Sequence, residues 1–409
     1  AYNPLGIAPD PGRIFRWGDY ALDANQVATI LVTVLVVIGL TVLFRSTALG
    51  LRMRAVVESP RMSELNAINA DRVGSTAWMM SSFLAGLAGV LLAPLFAQVE
   101  ANGFFTLLVA AVAAAAFGGL SSIPLTFAGG IALGVLQQVL AGYLPADSIL
   151  SQGLRPALPF LVLFLLLLFW PALRGVGRTT DPLAGVDPPP PAPAASVRSA
   201  GMTSATRVLA VATIALFVLA SLFWFDDFWL LLFTKGLIFG VIFLSITVIT
   251  GMGGQVSLSQ AAFAGVGAFA TGQLVQGLGL PVLPTMFLGA LVAAAVGAVL
   301  AIPVLRLDGL YLTLATLAFA LMWENVLVPQ TWISGGPLGV EVPRPLVGPI
   351  DFTDDRAFLL LCLVILALVG LVVLLVKRGT TGRYLDALRG SELAAASIGI
   401  DRKRARITA

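Results

Sequence analysis

From position 27 onward the chain alternates long apolar runs with short polar breaks. The runs lie near 27–44, 74–97, 104–118, 125–144, 156–173, 207–225, 229–250, 257–277, 283–305, 309–328 and 357–376. A helix covers the hydrocarbon core with about 20 mostly apolar residues, roughly 17–25 being the range. The pattern therefore predicts about eleven transmembrane or re-entrant helices and an all-α, polytopic membrane fold. The 104–118 run is short and Ala-rich, and 257–277 is rich in Gly, Ser and Gln. Both are candidates for re-entrant or broken helices, which are tolerated where protein or a water-filled cavity covers the backbone.

The polar breaks carry the orientation. With the break at 45–72 on the cytoplasmic side, parity puts 174–206 and everything after 377 on that side as well. The basic residues then divide as 18 inside, 5 outside and Lys235 within a span, as the retention of basic loops in the cytoplasm requires. The segment 181–207, "DPLAGVDPPPPAPAASVRSAGMTSATR", has too little apolar surface to build a core, and its proline run favours an extended chain. It reads as a cytoplasmic linker at 179–206 between two membrane domains, 1–178 and 207–409. Position 1 is Ala, residues 1–25 lack a signal-peptide pattern and the chain stops inside a polar loop, so it reads as a piece of something longer, the second domain cut at its C-terminal end.

Composition sharpens this picture. Hydrophobic residues make up 58% and charged residues 11% of the 409, with a mean hydropathy of +0.96, against about 25% charged in soluble domains. No histidine is present, which removes imidazole metal sites and histidine proton relays. No metal site and no nucleic-acid partner is expected. The single cysteine, Cys362, lies in an apolar run and reads as a packing residue.

Two of the breaks resemble each other. A shift of 332 positions lays 45–72 over 377–404 without a gap and the span at 27–44 over 357–376. Gly50 then meets Gly382, Ala55 meets Ala387, Ser59 meets Ser391, Ala67 meets Gly399, Ile68 meets Ile400 and Arg72 meets Arg404. Between Gly50 and Arg72, 5 of 23 positions are identical, and the matched topology adds weight to that low figure. Ser59 and Ser391 suit an N-cap, Pro60 the first helical position, and Glu392 the positive end of the helix dipole. Gly399 is a natural helix stop and Ala67 a poorer one. A helix of about seven residues is unstable in water unless something packs on it. Either it lies on its own membrane domain and the lipid headgroups, or it plugs into a soluble partner, two helices then implying two partner sites.

At these residues the chain resembles a family. The short loop helix with small residues, then Gly, Ile or Leu and a basic residue, is similar to the loop by which permeases of ABC importers contact their ATPase subunits. "SELNAINADRV" and "AFGGLSSIPLTFAGGIALGVLQQV" (116–139) resemble the second half of one permease type of the branched-chain amino acid system. "GMGGQVSLSQAAFAGVGAFATG" (251–272), "LRLDGLYLTLATLAF" (305–319) and "SGGPLGV" (334–340) resemble the other type. The resemblance implies both permease types fused in one chain of a bacterial plasma membrane. Its implied partners are two cytoplasmic ATPase subunits, an extracytoplasmic solute-binding protein and membrane lipid. No cofactor is expected on this chain; ATP and Mg belong on the ATPase subunits. Consistently, none of Lys235, Lys377 and Lys403 sits in a P-loop pattern, and no enzymatic role is expected.

A transport route needs polar groups facing it, because unpaired polar atoms in hydrocarbon are costly. Gln255, Ser257, Ser259 and Gln260 supply neutral groups among glycines, and Thr313 and Thr316 share one face of a later span. These six are the candidate pathway residues; bonding of the hydroxyls to their own helices is the competing expectation. Lys235 either snorkels or pairs with Glu324, and Gly335 and Gly336 mark a turn or a receptor contact. The function expected is inward transport of branched-chain or related amino acids. A secondary transporter or passive channel for small neutral solutes such as urea or short amides is the alternative, since duplicated halves are common there too.

Overall fold

The fold is taken from a computed structural model, which describes residues 14–17, 20–95, 101–143, 149–169, 208–209, 212–213, 216–221, 223–304, 307, 309–336, 339–347, 350–390, 395 and 398–399. The chain is almost wholly helical. Among the described residues the strands form two short antiparallel hairpins, β1 (Ile14–Trp17) with β2 (Tyr20–Asp23) and β3 (Leu346–Val347) with β4 (Ile350–Asp351). Contacts divide it into two compact units, one running to Leu140 and one holding the helices from Ile149 onward.

The first unit opens with α1 (Ala24–Ser46), a 23-residue apolar helix. The Gln26 carboxamide accepts from the Asp23 backbone N–H at 3.1 Å, closing its entry turn. Three short steps follow: α2 (Ala48–Glu58), α3 (Pro60–Leu65) and the long α4 (Ala70–Leu92). A second helical pair, α5 (Ala101–Phe117) and α6 (Ile123–Tyr143), is joined by a tight turn in which Gly119 and Leu120 both have positive φ. The pair meets through small residues: a Cβ on Gly129 would lie 2.6 Å from the Cβ of Phe117 and 3.0 Å from the carbonyl of Ala114. In lipid, apolar transfer gives helices no reason to associate, so such close backbone approach is what holds them together.

The second unit contains α7 (Ile149–Phe169), α8 (Asp227–Ile246), α9 (Gln260–Leu278), α10 (Val282–Val304), α11 (Leu310–Met322), the short α12 (Thr331–Ser334), α13 (Asp355–Arg378) and α14 (Thr380–Gly390). Two π-helical stretches, Thr247–Met252 and Trp323–Leu327, continue α8 and α11. α9 and α10 pack tightly, with the Thr271 hydroxyl shared between the carbonyls of Gly267 at 2.8 Å and Thr285 at 3.3 Å. α13 packs on α8 and α7 on α11, and Phe160, Leu163 and Leu167 of α7 are buried. Phe164 lies 6.5 Å from Phe319 across that contact.

Among the described residues, seven helical stretches are long and apolar enough to span a bilayer, and Leu107–Phe117 and Leu158–Leu167 are shorter apolar helices. Together with α9 they account for ten of the eleven expected spans; in the eleventh, 207–225, the described residues 208–209, 212–213, 216–221 and 223 are helical. The 104–118 run is a continuous helix within α5. The 257–277 run starts in an irregular segment and is a continuous helix from Gln260 onward.

Candidate functional site

The two similar loops begin with the same construction. α2 and α14 are both 11 residues long, and the 332-residue shift lays their ends over one another, Ala48 on Thr380 and Glu58 on Gly390. Each is wedged under the end of the preceding span by its glycine. A Cβ on Gly50 would lie 2.5–2.7 Å from main-chain atoms of Leu43 and Phe44; one on Gly382 would collide with the carbonyls of Lys377 and Val376. Met53 and its counterpart Leu385 are buried, as are Ser63 and its counterpart Ala395. Ala55 and Ala387 are both half-buried.

In the first loop, the Ser59 hydroxyl accepts from the N–H of Met62 at 3.3 Å and Pro60 occupies the first helical position. α3 stops in a Schellman arrangement: Ile68 N–H donates to Ser63 O and Ala67 N–H to Glu64 O, both at 2.9 Å. This places Ala67 at φ +59° and its counterpart Gly399 at φ +85°. Ala67 thus makes its stop in a positive-φ conformation that Gly399 shares, one costing an L-residue about 1–2 kcal/mol. Next, Asn69 caps α4 by accepting from the N–H of Arg72 at 2.9 Å, and the Arg72 side chain is exposed. Ser391, Ile400 and Arg404 lie outside the described residues.

One face of α3 is buried and the other is not. Ser59 and Ser63 face inward, whereas Leu65 is 79% exposed and Met62 44%. In the second loop Ile398 is 74% exposed. The short helix thus rests on its own unit and still presents bare apolar side chains.

The six candidate pathway residues come together in the second unit. α8 loosens into the π-helical turn, which ends at Gly253; a Cβ there would lie 2.6 Å from the Ile249 carbonyl. Gly254 follows at φ +64°, and residues 254–259 are irregular. The Thr250 hydroxyl donates to the carbonyl of Gln255 at 3.0 Å. The Ser257 and Ser259 hydroxyls bond each other at 3.0 Å. Leu258 N–H donates to the hydroxyl of Thr316 at 3.0 Å, and Thr313 donates to the carbonyl of Val256 at 3.2 Å. Thr316 also donates to the carbonyl of Thr313 in its own helix, and Thr313 to that of Gly309 at the helix N-cap. The expected bonding of hydroxyls to their own helix is therefore present at Thr313 and Thr316, and the further bonds to Val256 and Leu258 pin the irregular segment to α11.

At the end of that segment α9 begins without a side-chain cap on its N-terminus. The Ser259 hydroxyl is taken by Ser257, and the first helical bond is Phe263 N–H to Ser259 O. Beside it the Gln260 side chain is only 9% exposed and its Nε2 has no hydrogen-bond partner. Such an orphan costs about 1–3 kcal/mol, and native proteins keep few of them. The sequence shows the amide but not its isolation, which depends on neighbours far along the chain.

Lys235 is exposed on α8 and, among the described residues, forms no ion pair with Glu324. Gly335, at φ +75°, caps α12 as a turn residue. Sequence reasoning gave no sign of the clamp on the neighbouring loop: Arg344 pairs with Asp355 at 2.5 Å, donates to Thr353 O at 2.7 Å and stacks 4.9 Å above the Phe358 ring.

A family model described as "Branched-chain amino acid transport system / permease component" matches residues 3–170 and again 228–409. The chain belongs to this family. It is a multi-pass protein of the bacterial inner membrane in which the permease module occurs twice. It is 30% identical to the high-affinity branched-chain amino acid transport system permease protein LivM of Escherichia coli K12, over 43% of this chain and 47% of that one. It is 32% identical to LivH of Salmonella typhimurium, over 37% and 47%, and 31% identical to BraD of Pseudomonas aeruginosa, over 36% and 46%. The chain spans about half the length of the curated relatives it matches. No solved structure matches it. α7, which ends the first family match, packs in the unit that holds the second.

Proposed function

We propose that this permease is the membrane component of an ATP-binding-cassette importer carrying branched-chain or related amino acids inward, and not an enzyme. An extracytoplasmic solute-binding protein delivers the cargo. Two cytoplasmic ATPase subunits, holding ATP and Mg, grip the two similar loops. The observation that carries this reading is the duplicated wedge: equivalent glycines seat α2 and α14 under their spans, while Met62, Leu65 and Ile398 stay bare. A six-residue helix with exposed apolar side chains and a fixed base suits a peg for another protein's groove.

The route from peg to pathway is short in the second unit. α14 packs on the π-helical turn 247–252, which runs into the irregular segment 253–259. A push on α14 displaces the turn, and the segment re-forms its bonds to Thr313 and Thr316. Ser257, Ser259, Gln255 and Gln260 line the route with neutral groups that bond a passing zwitterion without trapping it, the unpartnered Gln260 amide being available to the cargo's carboxylate.

The test is co-expression of this chain with the genes that flank its own, followed by purification through a tag on this chain. Two ATPase subunits per chain are expected. Leu65→Asp with Arg72→Glu should release one, and Arg404→Glu should weaken the hold on the other. Purification without any ATPase, or full retention by all variants, refutes the reading and favours a channel for small neutral solutes.

A further inference from the structure

We infer that the second unit holds one phospholipid with a phosphate and a primary ammonium in its headgroup, phosphatidylethanolamine by chemistry, in a lateral groove between α8, its π-helical turn, α13 and α14. The groove is a cavity of about 730 Å³ walled by Leu244, Gly370, Leu371 and Leu374 and rimmed by Lys377 and Asp386. Its length identifies the occupant. From Ala367 at the deep end to Lys377 at the rim is ten residues of α13, about 15 Å at 1.5 Å per residue. That is half of a hydrocarbon core of roughly 30 Å, the depth of one leaflet. A free amino acid is far smaller than this trough, whereas an acyl chain fills it from end to end.

The rim supplies the second argument. Lys377 closes the last turn of α13 and Asp386 lies on α14. Both side chains are exposed and, among the described residues, the two are not ion-paired with each other. A cation and an anion at the mouth of an apolar trough complement a headgroup that carries both charges: the phosphate on the Lys377 ammonium and the headgroup ammonium donating to the Asp386 carboxylate. Phosphatidylcholine has no N–H to give Asp386, and phosphatidylglycerol has no cation for it. Small residues make the trough. Gly370 leaves Leu244 4.0 Å from where its Cβ would lie, and Gly251 opens the face of the π-helical turn. The lipid would touch both α14 and that turn, so its occupancy bears on how firmly the two are joined. The inference requires only that the chain spans a membrane, and stands whether or not ATPase subunits bind the loops.

The experiment is native mass spectrometry of the full chain, delipidated in detergent and titrated with phosphatidylethanolamine, phosphatidylcholine or phosphatidylglycerol of identical acyl chains. One phosphatidylethanolamine per chain is expected, held about five-fold more tightly than phosphatidylcholine, the ratio that one interfacial charge-assisted contact produces. Asp386→Asn should abolish that ratio, and Lys377→Gln should weaken both lipids. Ala367→Trp, which fills the deep end on an exposed position, should reduce retention of every lipid while helical content is unchanged. Equal retention of the three lipids by the unaltered chain overturns the proposal. So does a ratio that survives Asp386→Asn, or a cysteine at Leu371 that cross-links to another polypeptide in the membrane.

Discussion

Replacing Gly382 with Ala tests the wedge directly. Alanine is the better helix former, and in an unobstructed helix interior the exchange stabilises by about 0.5–1 kcal/mol. At Gly382 the new methyl would collide with the Lys377 carbonyl and lie 2.6 Å from that of Val376 and 2.8 Å from the Lys377 carbonyl carbon. All three are main-chain atoms at the end of a span and cannot swing aside, so α14 must back away from α13. Overpacking of this kind costs about 1–3 kcal/mol, which leaves a net loss of up to about 2.5 kcal/mol after the helix gain. Gly39 in α1 is the control, because nothing lies within 4 Å of its Cβ position. Thermal unfolding of the purified chain, followed by tryptophan fluorescence, reads the difference at roughly 2–4 °C per kcal/mol. Gly382→Ala should melt lower than the unaltered chain and Gly39→Ala no lower; Gly50→Ala should follow Gly382→Ala. If Gly382→Ala and Gly39→Ala shift the melting point equally, the glycine is not a wedge and the structural equivalence of the two loops loses its basis.

Three further outcomes follow from the geometry. Ala67→Gly removes a positive-φ alanine and should stabilise α3 by about 0.5–1 kcal/mol, the strain relieved being partly offset by chain entropy; protease cleavage after Arg61 should slow, and unchanged cleavage would count against the strain. Thr316→Val deprives Leu258 N–H of its acceptor, a loss of about 1–3 kcal/mol where no water replaces it; hydrogen exchange at 256–259 should accelerate while the middle of α10 stays protected. Asp351 accepts from the Thr353 hydroxyl and N–H, and those bonds, the side-chain one first, hold its carboxyl below the ordinary value. A lowered folded-state pKa means the turn is fully supported above the unfolded value, near pH 4, and loses that support as pH falls through the folded one. Exchange of the Thr353 amide should therefore quicken in acid, and Asp351→Asn should remove the pH dependence.

The sequence by itself determined the features that depend on neighbours along the chain. Apolar length set the spans, because a bilayer demands the same run of residues whatever lies beside it. Capping chemistry set the start of α3 at Ser59 and Pro60, and the 332-residue repeat paired Ala67 with Gly399, both of which have positive φ. Only the tertiary structure decided which helices meet. Contact in lipid depends on matching small residues and side chains across helices far apart in sequence, so no local pattern announced that α7 lies against α11. The same holds for the pathway residues. Their polar character was legible, but the pinning of 256–258 to Thr313 and Thr316, the isolation of the Gln260 amide and the failure of Lys235 to reach Glu324 each depend on where a second, sequence-distant helix stands.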